Sequence, residues 1–175
     1  FRAVSDQLLS RIGFTRKSIV PAWEDPVTLA VNAARPLGDA APSPIGLLIV
    51  ATESGLDDSK PLSTYVHRHL GLPSNCRNFE IKHACFAGVA ALHMAAAWVR
   101  EAPDAQPPRR ALVVATDVGR PVPDGRAELS VGTGAAAVVV ARDPGLIVLD
   151  GPIGTATREV HDVSRPTRTS DFADP

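Results

Sequence analysis

Cys85 has the setting of a reactive thiol. It stands where a predicted strand, residues 77–82, gives way to a predicted helix that begins at about residue 84. The free N–H groups and the partial positive charge of a helix N-terminus favour a thiolate and lower the thiol pKa. A free cysteine is, however, often a small buried core residue. Position alone therefore leaves two interpretations of Cys85 open, a nucleophile and a core residue.

Glu53 is the second candidate for chemistry. It directly follows an apolar run at residues 46–52, and the carboxyl ends of such strands are where open α/β sheets bind ligands. A carboxylate half-buried there would have a raised pKa and could act as a general acid or base. The alternative is a solvated loop residue, and without further context that alternative is favoured.

The remaining cysteine and the histidines carry weaker signals. Cys76 is predicted to be structural, and the strand between it and Cys85 would separate the two by roughly 20 Å, beyond the ~7 Å that Cα atoms of a disulfide allow. His83 could form a dyad with Cys85, although a structural histidine is preferred. His67 and His69 lie two residues apart on one predicted helix and do not share a face, which predicts no metal site.

The elements that would position these residues follow the order αβαβαβββ. Helices are predicted at residues 25–37, 61–70 and 84–100, and strands at 46–52, 77–82, 111–116, 135–141 and 146–149. The continuous apolar strand at 46–52 is typical of a parallel sheet that is covered on both faces. The turn at 143–145 indicates a closing hairpin. This order predicts an α/β layered fold with parallel strands and an antiparallel edge.

Two glycines precede the strand at 135–141. Gly132 and Gly134 fit neither a dinucleotide-binding nor a Walker spacing, and no helix is predicted to follow them. We therefore expect a tight turn that lets the backbone approach the active site, because glycine permits such an approach.

The predicted helix at 84–100 is unusual because it has almost no polar face. A helix that is apolar all round is buried on every side, and one sheet covers only one of those sides. We therefore expect another half-domain or a symmetry mate to cover the rest. On this ground the chain is expected to be part of a larger working unit.

The composition excludes several classes of protein. The chain has 175 residues, enough for one domain or one half of a larger enzyme, and its 18 Lys and Arg against 19 Asp and Glu argue against nucleic-acid binding. No apolar run reaches the roughly 20 residues of a bilayer span, and no signal peptide is recognised. Two cysteines do not make a disulfide framework, so we expect a reduced, cytoplasmic protein.

Six segments carry a recognisable pattern, namely 51–57, 60–67, 79–88, 115–117, 132–135 and 161–166. Together they resemble the 3-hydroxy-3-methylglutaryl (HMG) synthases, condensing enzymes of the thiolase fold. Segments 24–36 and 75–80 are more similar to the members of polyketide β-branching, which act on acyl groups bound to carrier proteins. The resemblance implies that residues 1–175 are the N-terminal half of a layered αβαβα fold, with a mixed sheet and a buried Ala-rich helix.

The resemblance implies a role for each residue that matches a family motif. Cys85 matches the nucleophile that takes an acetyl group from a donor thioester, and Glu53 matches the general acid/base that removes a proton from the acetyl methyl group. The resulting carbanion equivalent attacks a β-ketoacyl thioester, and water releases the product from Cys85. Asp117 and Asp162 match acidic residues that support the site. This chemistry needs both a thiolate and a nearby base.

Three further residues are assigned to the active site by the same resemblance. They are Gly132, Gly134 and Phe86, the last of which replaces the usual Tyr. No metal and no cofactor are implied, since the substrates are acetyl and β-ketoacyl thioesters of acyl carrier protein or CoA.

The resemblance also implies partners. The family's catalytic His and Asn belong to a C-terminal half, which is expected as a separate subunit or a missing segment. Acyl carrier proteins and a homodimer or heteromer are expected, and nucleic acid and membranes are not. Carrier proteins are generally acidic, so docking needs a local basic patch. The candidates are Arg16 with Lys17, Arg109 with Arg110, and Arg120 with Arg126.

Two alternative functions stay open. The first is a non-catalytic partner subunit of a split synthase, which the presence of both Cys85 and Glu53 disfavours, because a scaffold needs neither. The second is a ketosynthase of the fatty-acid-initiation type, which segments 51–57 and 79–88 disfavour.

Overall fold

The computed structural model describes residues 16–40, 44–102, 104–105, 107–119, 131–143, 145–150 and 154–158. Three residues singled out above, Asp162, Arg120 and Arg126, lie outside these ranges. The elements in chain order are α1 (Pro26–Ala40), β1 (Leu47–Ala51), α2 (Leu62–His69), β2 (Arg77–Ile81), a 3₁₀ turn (Ala84–Phe86), α3 (Ala87–Glu101), β3 (Arg110–Val118) and β4 (Thr133–Ala141).

The described strands form one mixed sheet in the order β2-β1-β3-β4. β1 pairs in parallel with both β2 and β3, so that Ala51 at its end lies beside Ile81 on one side and Ala115 on the other. β4 runs antiparallel to β3 and forms the edge. The predicted α/β layered fold with parallel strands and an antiparallel edge is confirmed.

Helices cover both faces of β1, and all five of its residues are buried. On one face, Leu48 and Val50 pack with α1 and α2. On the other, Leu47 and Ile49 pack with α3. This arrangement explains why the strand reads as a continuous apolar run rather than as an alternating one.

The N-terminus of α1 is fixed by its own side chains and by β3. The Thr28 N–H donates to Asp25 Oδ1 at 2.7 Å, and the Asp25 N–H donates to Thr28 Oγ1 at 2.8 Å. This reciprocal pair satisfies backbone donors that the helix start leaves free. The buried hydroxyl of Thr116 donates to the Pro26 carbonyl at 2.9 Å. The helix is thereby tied to β3 one residue before Asp117.

Only one side of α3 is covered. Ala91 and Ala95 are fully buried against the sheet, whereas Val89 and Met94 are 45% and 47% exposed. On the same side of the sheet, Val138 of β4 is also exposed. The structure thus shows the uncovered apolar side that the sequence of this helix implies.

The prediction of a strand at residues 146–149 is wrong. Residues 147–150 have no regular structure, and the side chains of Leu146 and Ile147 are exposed. An apolar run predicts a strand only if a neighbouring strand can satisfy its backbone N–H and C=O groups. Among the described strands none pairs with this segment, so the sheet formed by the described residues ends at β4.

Candidate active site

The sheet brings the candidate residues together because β1, β2 and β3 are parallel. Glu53 follows β1 by two residues, Cys85 follows β2 by four, and Asp117 is the next-to-last residue of β3. The carboxyl ends of parallel strands lie at the same edge of a sheet. Residues far apart in the sequence therefore meet at this edge, as the positions of Glu53 and Cys85 predict.

Asp117 holds the segment that carries Glu53. Its Oδ1 accepts hydrogen bonds from the Glu53 N–H at 2.8 Å, the Ser54 hydroxyl at 3.0 Å and the Thr52 hydroxyl at 3.2 Å. The Val118 N–H in turn donates to Ser54 Oγ at 2.9 Å. The carboxylate of Asp117 thus orients the backbone of Glu53 and leaves the Glu53 side chain available for other contacts.

The Glu53 carboxylate reaches the chain beside Cys85. Its Oε1 accepts the Ala84 N–H at 2.6 Å, and Ala84 directly precedes Cys85. Among the described residues other than glycine, Ala84 is the one with a positive φ, which is 41°. L-amino acids rarely adopt this backbone region, and a residue held there under strain is typical of functional sites. Glu53 is exposed among the described residues, so they do not provide the half-buried environment that was one of the two interpretations of this residue.

The thiol of Cys85 is exposed and free. It lies in the 3₁₀ turn Ala84–Phe86, two residues before α3 begins at Ala87. The helix N-terminus is thus next to the thiol, as the sequence predicts. Within this chain the exposure rejects the interpretation of Cys85 as a core residue.

Cys76 differs from Cys85 in its burial. It is buried and free, and packs within the core formed by β1, α1 and α2. Burial raises its pKa to about 11, partly offset by a backbone hydrogen bond from Leu48. The raised pKa disfavours the thiolate at neutral pH, which agrees with the structural role predicted for this residue.

Rings of His83 and Phe86 flank the thiol-bearing residue. They meet edge to face with centroids 5.2 Å apart, a favourable geometry for two aromatic rings. The ring contact of His83 is therefore with Phe86, which supports the structural interpretation of this histidine over a dyad with Cys85. Phe86 itself is 42% exposed at the sheet edge.

The glycines lie on the β3–β4 side of the site. A Cβ on Gly132 would lie 3.1 Å from Ser18 Oγ, and one on Gly119 only 2.4 Å from a methyl of Val131. These distances show close approaches of other atoms to Gly119 and Gly132, whereas the tight turn expected at Gly132 stays a prediction. Gly134 lies opposite Asp117 in the β3–β4 register, and a Cβ there would meet nothing within 4 Å. It leaves open space beside the carboxylate.

One candidate docking patch, Arg109 with Arg110, lies at the opposite end of the sheet from the candidate site. Arg109 donates to the Trp98 carbonyl at 2.9 Å and pairs with Glu101 at 2.8 Å. It precedes β3, whose nine residues extend roughly 26 Å at about 3.3 Å per residue. Arg109 and Arg110 are thus remote from Asp117, and their role in docking stays a prediction.

The N-terminal candidate patch lies at the site edge instead. The Thr133 N–H donates to the carbonyl of Ser18 at 3.2 Å, and Thr133 pairs with Val118 at the end of β3. Arg16 and Lys17 precede Ser18 and are exposed. Sequence reasoning missed Ser18 and the anchoring hydroxyls of Thr52 and Ser54. Thr52 and Ser54 flank Glu53 within segment 51–57, and this position is the signal that could have identified them.

The mixed sheet, its covering helices and the candidate residues at the carboxyl ends of its parallel strands define a protein of the thiolase-type fold. A family model described as "Hydroxymethylglutaryl-coenzyme A synthase N terminal" matches residues 8–144, and the chain belongs to this family. The match favours the HMG synthases over the ketosynthase alternative. No described helix is long and apolar enough to cross a membrane.

Among curated relatives, the polyketide biosynthesis 3-hydroxy-3-methylglutaryl-ACP synthase PksG of Bacillus subtilis is 40% identical over 173 residues, covering 90% of this chain and 41% of that protein. The hydroxymethylglutaryl-CoA synthase of Enterococcus faecalis is 35% identical, covering 89% and 40%. The chain therefore spans about 40% of the length of these relatives.

Solved structures show the same fold. The HMG synthase of the curacin biosynthetic pathway, in complex with holo donor-ACP, superposes with a TM-score of 0.73 at 38% identity, covering 79% of this chain and 35% of that one. An HMG-CoA synthase complexed with CoA superposes with a TM-score of 0.76 at 34% identity, covering 86% and 38%. The mixed sheet and its helices are thus those of the thiolase-type fold of HMG synthases.

Proposed function

We propose that this chain supplies the acetyl-carrying and proton-moving residues of an HMG synthase. Cys85 is the nucleophile and Glu53 the general acid/base. The observation that carries this proposal is the 2.6 Å hydrogen bond from the Ala84 N–H to Glu53 Oε1. It keeps a carboxylate beside the residue whose thiol would hold the acetyl group. A base must lie within hydrogen-bond reach of the proton that it removes.

The reaction proceeds in three steps. The Cys85 thiolate attacks the carbonyl of an acetyl thioester, and the donor thiol leaves as the C–S bond to Cys85 forms. Glu53 then takes a proton from the acetyl methyl group, and the carbanion equivalent adds to the ketone of a β-ketoacyl thioester, whose oxygen is protonated. Water finally cleaves the bond to Cys85, which releases a free carboxylate and restores the thiol.

The other site residues act through position. Asp117 fixes the backbone of Glu53 through the hydrogen bonds described above. Phe86 lines the site next to Cys85, and Gly132 and Gly134 keep the β3–β4 side open to substrate. Asp162 is proposed as a supporting acid from its family motif alone. No metal or cofactor takes part in these steps.

We assign the acyl groups to carrier proteins rather than to CoA. Support comes from the relatives, since PksG is named an HMG-ACP synthase and the curacin enzyme is solved with its donor ACP. The E. faecalis relative, named for CoA, is less similar over the same share of the chain. The product would then be an HMG-type group formed on a carrier protein in polyketide β-branching.

The uncovered side of α3 is proposed to meet a C-terminal half with the family's catalytic His and Asn. Val89 and Met94 on the helix and Val138 on β4 share this uncovered side. A second layer of the αβαβα fold would bury them, which makes residues 1–175 one half of the domain. Cytoplasmic location and the assembly into a homodimer or heteromer stay predictions.

Intact-mass spectrometry tests the proposal. The full-length gene product is incubated with acetyl-carrier protein or acetyl-CoA, and we expect an acetyl adduct that maps to Cys85 and is lost in Cys85→Ala. Cys76→Ala is the matched control and should keep the adduct. If no adduct forms with either donor, the chain is a non-catalytic subunit and the proposed function is wrong.

A further inference from the structure

The Glu53 loop, residues 52–61 between β1 and α2, is held by one carboxylate of β2. Glu80 Oε2 accepts the Leu62 N–H at 2.6 Å, where the loop ends and α2 begins. Glu80 Oε1 lies 3.4 Å from the place of a Cβ on Gly55, two residues after Glu53. The first N–H groups of a helix have no partner within the helix. Glu80 therefore anchors the end of the loop and packs against its middle.

The same stretch of chain binds the start of the loop. The Thr52 N–H donates to the Ile81 carbonyl at 3.1 Å, and the Ala84 N–H donates to Glu53 itself. Residues 80–84 lead directly to Cys85, so the segment that carries the thiol also braces the loop that carries the carboxylate. Any loosening of the loop changes the distance between the two groups.

We propose that Glu80 is a positioning residue for the proton-transfer step. It does not touch the reacting atoms, and its effect on Glu53 is transmitted through Leu62 and Gly55. The inference rests on the proposed function, since it needs Glu53 to be the base. Glu80 is partly buried and lies beside Val50 in the β1–β2 register.

Asn78 offers a matched control. It lies two residues before Glu80 on the same face of β2, and its Oδ1 accepts the Ser63 hydroxyl at 2.9 Å. Asn78 thus also joins β2 to the first turn of α2, but it binds the side chain of Ser63, whereas Glu80 binds the backbone N–H of Leu62, directly after the loop, and also packs against Gly55 within the loop. Loss of this contact loosens packing between β2 and α2 without releasing Glu53.

The experiment compares two rates in the full-length gene product. These are acetylation of Cys85 and exchange of the acetyl methyl protons with deuterated water, measured by mass spectrometry. Glu80→Ala should slow exchange by about 10- to 100-fold, the range expected for a misplaced catalytic group, and change acetylation less than about threefold. Glu80→Gln should retain exchange, because its amide oxygen accepts the same Leu62 N–H. Asn78→Ala should leave the ratio of the two rates unchanged.

Folding is controlled by circular dichroism and thermal unfolding. If Glu80→Ala does not fold, Glu80→Asp replaces it. The shorter side chain keeps the charge but cannot span both contacts, so exchange should again fall more than acetylation. Equal loss of both rates in the folded variant would make Glu80 merely structural and overturn the proposal, as would wild-type exchange.

The failure of the underlying function has a different signature. If Glu53→Ala retains wild-type exchange, Glu53 is not the base and the proposed function falls together with this inference. If Glu53→Ala loses exchange while folded Glu80→Ala keeps it, only the positioning role of Glu80 is overturned.

Discussion

The Ala84 amide and the Glu53 carboxylate are joined by a 2.6 Å hydrogen bond across 31 positions of sequence. Ala84, which donates this bond, has a positive φ of 41°. Strain of this kind persists only where the surrounding structure compensates it. The geometry therefore couples the conformation of the residue before Cys85 to the place of Glu53.

Variants of Cys85 and Glu53 should fail at different steps. Cys85→Ala should show neither acetylation nor condensation, because the acyl carrier is gone. Glu53→Ala should still accept the acetyl group but condense about 10²–10⁴-fold more slowly, the usual effect of removing a general acid/base. Product analysis and methyl-proton exchange separate the two. Wild-type exchange in Glu53→Ala would show that another residue is the base.

Substitutions at Ala84 should follow its positive φ. Ala84→Gly should leave the free energy of unfolding unchanged or raise it by up to about 1 kcal/mol, since glycine relieves the strain. Ala97→Gly, on the exposed side of α3, should instead destabilise by roughly 0.5–1 kcal/mol. Urea unfolding of both variants makes the comparison. Equal destabilisation by the two substitutions would contradict a strained Ala84.

Alkaline pH should weaken the fold through Cys76. Its pKa is raised from 9.0 to about 11 in the folded chain by burial, so the unfolded chain loses the proton first as pH rises. The native state then binds more protons than the unfolded one, and stability falls between pH 9 and about 11. Cys76→Ala should show a shallower decline across this window, measured by urea unfolding. An unchanged pH slope would mean that burial does not perturb this thiol.

The chain on its own should self-associate through the uncovered side of α3. Burying apolar surface contributes about 25 cal/mol per Å², and Val89 and Met94 are both nearly half exposed. Val89→Lys with Met94→Lys should shift the chain toward monomer in analytical ultracentrifugation. Leu146→Lys, at a fully exposed apolar residue outside α3, is the control. A clean wild-type monomer would refute the expectation of a missing second layer.

Carrier-protein docking should depend on Arg16. This cation lies at the site edge, two residues before Ser18, whose carbonyl binds the Thr133 N–H. Arg16→Glu should slow acetyl transfer from acidic carrier protein more than transfer from CoA, and more so at low salt. Arg100→Glu, at the end of α3, should affect neither donor selectively. Equal slowing with both donors would exclude a docking role for Arg16.

Local features of the sequence determined most of the fold. The apolar run at β1 predicts a strand covered on both faces, and all five residues of β1 are buried. Asp25 and Pro26 mark the start of α1, because a capping side chain and a fixed φ act within a few residues. Glu53 and Cys85 were also recognisable, since each follows a strand at its carboxyl end. These signals depend on neighbouring residues alone.

Contacts between distant segments were decided only by the tertiary structure. The hydrogen bonds of Asp117 to residues 52–54 and of Glu80 to Leu62 arise from strand order and register, which no local pattern encodes. For the same reason the run at 146–149 was mistaken for a strand. Apolar character is a property of the segment itself. A strand also needs a neighbouring strand, and another part of the chain must supply the N–H and C=O groups of that neighbour.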